Sequence, residues 1–325
     1  MNLRIIPRLD IKGPNLVKGI HLEGLRVLGK PWDFAYKYYT SGADELLYMD
    51  IVASLYGRNN LSEIVAKTAE NIFIPLTVGG GIRTLEDIKN LLRAGADKVA
   101  INTAAIRTPT FLNESAATFG SQCIVVSIEA KKIGKDWLAM TDNGRENTGR
   151  EVLPWAREAV ERGAGEVLIT SIDREGTGTG YDLELIRVIA EAVPVPVIAC
   201  GGCGRPEHLL AAVGEGRADA LCASSLFHYH HLESTIDQEA FKDEGNIEFL
   251  AQKRGPQRFM SKRIMPLGLP EVKAYLEEAG VPCRWPERKK ENDDPESHHS
   301  RLWAREPVQH RPGSPVQWGL GGNIG

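Results

Sequence analysis

Short apolar runs rich in β-branched residues alternate with longer amphipathic stretches from the N-terminus to about Phe227. The amphipathic stretches repeat apolar residues on one helical face, as at Leu85, Ile88 and Leu91. The apolar runs lack polar alternation, which indicates strands buried on both faces of a parallel sheet covered by helices. Eight runs have this pattern: 4–9, 46–50, 74–78, 98–101, 123–128, 166–170, 195–199 and 219–223. Eight strand–helix units predict a closed (β/α)₈ TIM barrel. The alternative is an open doubly wound sheet, but no GxGxxG follows the first run.

An internal repeat predicts that the barrel is built from two similar half-barrels. Four short motifs recur with a spacing of 119 to 122 residues: 9–12 at 128–131, 42–45 at 163–166, 79–80 at 201–202, and 96–97 at 218–219. This spacing equals half a barrel, so the two halves should be related by a pseudo-two-fold axis. Each functional element is then expected twice, on opposite sides.

The C-terminal part of the chain departs from this pattern. Residues 230–267 interrupt it, and 269–285 offer a last helix, so we predict a barrel over 1–285 with an inserted segment at about 230–267. Residues 286–325 contain five prolines, twelve charged residues and only five Leu, Ile or Val. Because so little apolar surface cannot offset the entropy of ordering, we predict a disordered tail there.

Composition excludes several classes of protein. The 325 residues include 39 basic and 43 acidic ones, a net charge of −4, which gives no electrostatic reason to expect a nucleic-acid or anionic-membrane partner. No apolar stretch approaches the roughly 20 residues that span a bilayer, and the N-terminus lacks a secretory signal. We therefore expect a cytoplasmic protein. Five scattered cysteines require no disulfide framework.

Two acidic residues are candidates for catalysis. Asp10 and Glu129 stand at or just past the C-terminal ends of predicted strands and are related by the repeat. Barrel enzymes carry catalytic residues at this end, and two carboxyls with different environments can divide acid and base roles. The alternative is that both are solvated acids at strand ends.

Two glycine-rich turns predict a pair of phosphate sites. Gly79–Gly81 and Gly201–Gly202 follow the third and seventh runs. Small polar residues follow each turn one strand later: Asn102 and Thr103, and Ser224 and Ser225. Glycine lets backbone N–H groups approach an anion, and hydroxyl or amide donors complete the cup. Residues 173–178 add another glycine loop beside the second cup. The alternative is that the glycines only allow tight turns.

Other candidate residues are assigned structural roles. Cys200 and Cys203 have CxxC spacing, but zinc would need two more ligands, of which His208 is the nearest, so we expect no metal site or redox use. His228, His230 and His231 are expected to be solvated.

Four charges stand at strand beginnings, on the opposite end of the barrel: Arg4, Glu45, Lys98 and Glu166. Because the barrel interior is normally apolar, such charges must pair. They are either a salt-bridge ring that stabilises this end or a gate.

These motifs resemble those of the cyclase subunits of imidazole glycerol phosphate synthase, a lyase of histidine biosynthesis. The similarity covers residues 1–229 and resumes at 270–285, through segments such as RIIPRLDIK, GADELLYMDI, FIPLTVGGGIR, GADKVAIN and ITSIDREGT. The resemblance implies a heterodimer in which a glutaminase docks on the N-terminal face of the barrel and ammonia passes through a channel. The cyclase joins this ammonia to a bisphosphorylated ribulosyl-formimino aminoimidazole carboxamide ribonucleotide (AICAR) without an organic cofactor or metal. The products are imidazole glycerol phosphate and AICAR.

The resemblance also implies residue roles. Asp10 matches the first catalytic carboxylate, and Glu129 stands where the family has an aspartate. Substrate-binding positions match Lys18, which lies on a mobile first loop in the family, and Gly80, Gly81, Asn102, Thr103, Gly176, Gly202 and Ser225. The gate positions match Arg4, Glu45, Lys98 and Glu166.

Three departures from the family leave alternatives open. They are Glu129, Glu175 in place of another aspartate, and the 38 residues of 230–267. Paralogues that deliver ammonia to a sugar in surface-polysaccharide assembly share such altered features, and they are the main alternative. A related phosphoribosyl-carboxamide isomerase is disfavoured because it needs no ammonia gate. A catalytically inactive phosphate-binding partner is disfavoured because both acids remain.

Overall fold

A computed structural model describes residues 2–21, 23–53, 61–234 and 263–286. Its strands are β1 (Arg4–Lys12), β2 (Asn15–Ile20), β3 (Glu23–Gly29), β4 (Leu46–Asp50), β5 (Leu76–Gly79), β6 (Lys98–Ile101), β7 (Ile124–Ile133), β8 (Asp136–Thr141), β9 (Glu146–Glu151), β10 (Glu166–Ser171), β11 (Val197–Cys200) and β12 (Ala220–Ala223). Eight of them pair in parallel in the order β1, β4, β5, β6, β7, β10, β11, β12, and β12 pairs again with β1. The predicted (β/α)₈ barrel is therefore confirmed. Every predicted run overlaps one of its strands.

Helices follow the barrel strands and cover the outside of the barrel. They are α1 (Pro31–Thr40), α2 (Leu61–Ala69), α3 (Leu85–Arg93), α4 (Thr103–Arg107), α5 (Thr110–Phe119), α6 (Val152–Glu161), α7 (Leu183–Ala190), α8 (Pro206–Gly214), α9 (Ser225–Ser234) and α10 (Leu269–Glu278). Helix α3 illustrates how the sequence specifies them. Thr84 and Asp87 form a capping box at its start, and Ile88 and Leu91 are buried on one face. The helical face predicted from spacing is thus the one that packs inward.

The two halves of the barrel also share an addition that the apolar pattern does not predict. Strand β1 continues into the antiparallel hairpin β2–β3, and β7 continues into the hairpin β8–β9. Asp10 pairs with Val17 in one half, and Glu129 pairs with Met140 in the other. Both carboxyl residues therefore sit where a barrel strand becomes a hairpin, so the repeat extends beyond the barrel itself.

The last helix is anchored by a buried ion pair. Lys273 of α10 is buried, and its Nζ lies 2.8 Å from Asp44 Oδ1. The other Asp44 oxygen accepts a hydrogen bond of 2.9 Å from the backbone N–H of Ile5. A buried charge is tolerated only when it is paired and hydrogen-bonded, as here. Asp44 therefore ties α10 to β1 at the N-terminal end of the barrel.

Two predicted segments fall largely or wholly outside the described residues. Helix α9 continues to Ser234, past the predicted start of the insertion at His230, and residues 235–262 are not described. The predicted tail, apart from Pro286, also lies outside the described residues. Within the described ranges, no helix has the length and apolar character needed to cross a membrane.

Candidate active site

Asp10 and Glu129 both lie at the C-terminal end of the barrel, which we call the mouth. Asp10 is 2% exposed and Glu129 is 5% exposed, so neither is a solvated strand-end acid. Glu129 Oε2 accepts a hydrogen bond of 3.2 Å from Asn102 Nδ2, which also donates to the Met140 carbonyl at 3.1 Å. Strands β6, β7 and β8 thus jointly position the Glu129 carboxyl.

Asp10 faces two cations. Arg8 Nε lies 2.7 Å from Asp10 Oδ1, and Lys18 Nζ lies 3.8 Å from Asp10 Oδ2. Lys18 also forms a close ion pair with Glu175. All four side chains are buried. Because each buried charge has an opposite charge beside it, this cluster is electrostatically satisfied.

Glu129 has a different environment. Burial raises the pKa of Glu129 to about 7, and nearby Asp10 and Asp142 act in the same direction. The charge of Arg8 and the backbone N–H of Gly144 lower this pKa and only partly oppose the effect of burial. A carboxyl of this kind exchanges its proton near neutral pH, as a general acid or base requires.

The first cup, formed by Gly80, Gly81, Asn102 and Thr103, opens into a cavity of about 400 Å³ that Glu129 also lines. Gly80 has φ +100°, and a Cβ there would lie 2.2 Å from the Asp50 carbonyl oxygen. The turn therefore requires glycine, as expected for a backbone that approaches a ligand. The four predicted positions of this cup lie together, beside one of the two carboxyls.

The second cup, formed by Gly176, Gly202 and Ser225, lines a cavity of only about 10 Å³. Gly202 also has φ +100°, and a Cβ there would lie 2.2 Å from the Gly180 carbonyl oxygen. Gly80 and Gly202, which the repeat aligns, therefore share the same φ. Their cavities differ in size, and Glu175, which is paired with Lys18, lines the smaller one.

Lys18 does not lie on a loop. It is part of β2, its side chain is buried, and it contacts both Asp10 and Glu175. The hairpin also contacts the segment after β10, because the His21 backbone N–H donates to the Glu175 carbonyl at 3.0 Å. In this chain the segment that matches the family's first loop is the hairpin β2–β3, because it pairs with β1 and within itself. Its mobility stays a prediction.

At the opposite end of the barrel, Arg4, Glu45, Lys98 and Glu166 form what we call the floor ring. Arg4 NH1 lies 2.9 Å from Glu45 and 3.0 Å from Glu166, and Lys98 Nζ lies 3.0 Å from each of the same glutamates. Thr77 Oγ1 adds a hydrogen bond of 2.5 Å to Glu45 Oε1. Each cation thus bridges both anions. The geometry satisfies the pairing requirement, while a gating role stays a prediction.

The expectation that the three histidines are solvated is wrong. His228 is fully buried, with Nδ1 2.6 Å from the Tyr38 hydroxyl, and its ring stacks on that of Tyr38. Burial lowers the pKa of His228 to about 3, so its ring is neutral. His230 and His231 are half-buried. The cause is the packing of α9 against α1, which sequence spacing alone does not reveal.

The CxxC cysteines make separate contacts. Arg8 NH1 lies 3.6 Å from Cys200 Sγ, whereas Cys203 Sγ donates to the Arg205 carbonyl at 3.8 Å. His208 Nδ1 accepts a hydrogen bond of 3.2 Å from the Gly204 backbone N–H. The described ranges contain no group of three metal-ligating side chains close enough to share an ion.

Arg8 is the residue that sequence reasoning missed. It is 1% exposed and contacts Asp10, Thr170 and Cys200 from inside the barrel. A signal was present, because residues two apart on a strand share a face and Arg8 precedes Asp10 by two. The charge of Arg8 inside an otherwise apolar run therefore indicated a buried contact with Asp10.

Comparisons with known proteins show which family this chain is similar to. The family model for "Histidine biosynthesis protein" matches residues 4–233. Three relatives named imidazole glycerol phosphate synthase subunit HisF are similar to this chain. The one from Legionella pneumophila is 63% identical over 208 residues, 64% of this chain and 98% of the relative. The relative from Myxococcus xanthus is 52% identical, over 69% of this chain and 89% of the relative. The relative from Trichormus variabilis is 49% identical, over 71% of this chain and 92% of the relative. The chain therefore belongs to the histidine biosynthesis protein family, among the HisF cyclase subunits of imidazole glycerol phosphate synthase.

Proposed function

We propose that this chain catalyses the cyclase reaction of imidazole glycerol phosphate synthase. Ammonia and the bisphosphorylated ribulosyl-formimino AICAR substrate are converted to imidazole glycerol phosphate and AICAR, with release of water. The observation that carries the proposal is the pair of buried carboxyls at the mouth, Asp10 and Glu129, of which Glu129 lines a cavity of about 400 Å³. The names of the relatives do not favour the alternative in which a sugar is the acceptor.

The reaction needs groups that accept and donate protons. Ammonia must lose protons as its nitrogen forms bonds in the imidazole ring, and the departing AICAR amine must gain one. Two buried carboxyls at the mouth can do this: Asp10, beside Arg8 and Lys18, and Glu129, with its pKa raised to about 7. Two carboxyls in such different environments suit opposite roles in proton transfer.

The two glycine cups are proposed to hold the two phosphates of the substrate. Gly80, Gly81, Asn102 and Thr103 offer backbone and side-chain donors in the first cup, and Gly176, Gly202 and Ser225 offer them in the second. Lys18 lies between Asp10 and Glu175, where its charge can contact the substrate once the ion pair opens. The small volume of the second cavity means that the second phosphate binds with local rearrangement.

A glutaminase subunit is proposed to bind at the N-terminal face, around the floor ring. Ammonia released there would reach the mouth along the barrel axis, past Arg4, Glu45, Lys98 and Glu166. The ring pairs its charges completely and is only partly exposed, with 16% of the Lys98 side chain accessible. Such a ring can separate when a partner contacts it and close again against water.

The test supplies the purified chain with the bisphosphorylated substrate and ammonium salt, without a partner. The wild type should release AICAR. Asp10→Asn should bind the substrate with similar affinity and lose turnover by about 10²–10⁴-fold, because the amide cannot accept a proton. Full activity of Asp10→Asn would refute the carboxylate mechanism. Failure of the wild type to consume this substrate would refute the proposed reaction.

A further inference from the structure

Arg8 occupies the centre of the charge arrangement at the mouth, yet the mechanism above gives it no task. Its guanidinium extends from β1 to the strands β10 and β11, where NH1 donates to Thr170 Oγ1 at 3.4 Å and lies 3.6 Å from Cys200 Sγ. The other terminal nitrogen, NH2, is buried without a hydrogen-bond partner among the described residues. Although the charge is paired, a buried N–H group without an acceptor is costly, which points to a functional reason for its place.

The contact between Arg8 and Asp10 fixes one carboxyl. Arg8 Nε donates to Asp10 Oδ1 at 2.7 Å, and Lys18 approaches the second Asp10 oxygen at 3.8 Å. A charge-assisted hydrogen bond of this length orients the carboxylate as well as stabilising its charge. Both oxygens of Asp10 therefore face cations, one from the barrel strand and one from the hairpin.

Glu129 faces Arg8 only at longer range. No described cation forms an ion pair with the Glu129 carboxyl, whose side-chain hydrogen bond comes from the neutral amide of Asn102. The charged groups acting on it are Arg8, Asp10 and Asp142, and the backbone N–H of Gly144 donates to it. Arg8 is the strongest influence that opposes burial. One guanidinium thus acts on both carboxyls, at contact distance for Asp10 and from farther away for Glu129.

We propose that Arg8 is a positioning residue that holds Asp10 as the proton acceptor and leaves Glu129 as the proton donor. This inference rests on the proposed function and assigns the roles within it. As the bond between ammonia nitrogen and substrate carbon forms, the nitrogen passes a proton to the Asp10 carboxylate. As the bond between the substrate carbon and the departing AICAR amine breaks, the nitrogen of this amine takes the proton of Glu129. The two carboxyls then regain their starting states when Asp10 returns its proton to Glu129 through solvent.

The first test needs no substrate. Glutamate side chains are labelled with ¹³C at the carboxyl carbon, the Glu129 signal is assigned by its loss in Glu129→Gln, and its titration is followed by NMR. Arg8→Met should move the midpoint upward by roughly one pH unit, because a cation that favours ionised Glu129 is lost. Arg8→Lys keeps the positive charge, so its Glu129 midpoint should stay closer to that of the wild type. Thr170→Val, which removes only the contact to NH1, is the matched control and should not shift the midpoint.

The second test measures turnover with ammonium salt across pH. Arg8→Met should lower kcat by about 100-fold with little change in KM, because a misplaced catalytic group costs on the order of this factor. Arg8→Lys should recover part of the lost kcat. If Arg8→Met does not fold, the Arg8→Lys variant still decides the test. An unchanged Glu129 midpoint, or a wild-type kcat and pH profile in Arg8→Met, would overturn the proposal. If the wild type lacks cyclase activity, the proposed function has failed, and the titration still decides whether Arg8 controls Glu129.

Discussion

At the scale of single residues, the two carboxyls at the mouth differ in what surrounds them rather than in how deeply they are buried. Asp10 has cations on both oxygens, whereas Glu129 has an amide donor and a backbone N–H. Burial without a contacting cation disfavours the ionised form, so Glu129 retains its proton to a higher pH. The same environment that makes Glu129 useful for proton transfer therefore makes its ionisation costly to the fold.

Glu129→Gln should stabilise the protein at high pH. The pKa of Glu129 rises from 4.5 to about 7 on folding, so between these values the unfolded chain releases a proton that the native state keeps. The stability contributed by protonated Glu129 is complete below about pH 4.5 and is lost as pH rises through 7, by on the order of 3 kcal/mol. Glutamine does not titrate, so its contribution to stability does not change with pH. The melting temperature of Glu129→Gln should therefore rise relative to that of the wild type between pH 5 and 8. Exposed Glu146→Gln is the control, and equal behaviour of both variants would contradict the argument.

Residues of the site were predictable where the repeat duplicates them and unpredictable where only packing defines them. Asp10 and Glu129 were found because two similar half-barrels place them at equivalent strand ends. Arg8 was missed although its partner Asp10 lies only two positions away, whereas His228 was misjudged because its partner Tyr38 lies 190 positions away in the sequence. Local patterns contain no information about such contacts. Once the parallel barrel is closed, the contacts follow from its geometry.

At the scale of elements, the hairpins β2–β3 and β8–β9 distinguish this barrel from a plain (β/α)₈ arrangement. Each continues the barrel strand that carries a carboxyl, and each contributes a contact at the mouth: Lys18 from β2 and the Met140 carbonyl from β8. The sequence pattern did not predict them because their strands are short and mix polar with apolar residues, as in NLVKGI of β2, or are polar, as in ENTGRE of β9. Cross-strand backbone pairing defines these strands together with the burial of a few apolar residues, such as Leu16, Val17 and Leu28.

The hairpin β2–β3 should loosen when Lys18 loses its charge. In Lys18→Met the ion pairs to Glu175 and Asp10 are removed, and breaking a buried pair is strongly destabilising. Amide hydrogen exchange of residues 15–29 should accelerate by at least about tenfold while the barrel strands remain protected. Lys12→Met, an exposed lysine at the end of β1, is the matched control. Unchanged exchange in Lys18→Met would mean that backbone pairing alone holds the hairpin.

At the scale of the whole molecule, the barrel places two charged layers on one axis with an apolar layer between them. The floor ring lies at the strand beginnings, Asp10 and Glu129 lie at the strand ends, and Ile6, Leu168 and Ile198 belong to the buried cluster between them. Parallel strands bring this about, because all their beginnings meet at one end and all their ends at the other.

Lys98→Met should uncouple glutamine use from cyclisation. Removing Lys98 leaves Glu45 and Glu166 with Arg4 as their one shared cation in the ring. The ring then has one more negative than positive charge. With the glutaminase present, turnover driven by glutamine should fall by about tenfold, because an unpaired, partly buried charge disturbs the entrance. Turnover driven by added ammonium salt should stay near the wild type, since the mouth is unchanged. Lys89→Met, on the exposed side of α3, is the control. Equal loss with both nitrogen sources would make the ring purely structural, and failure of any glutaminase to bind at any concentration would refute the two-subunit function.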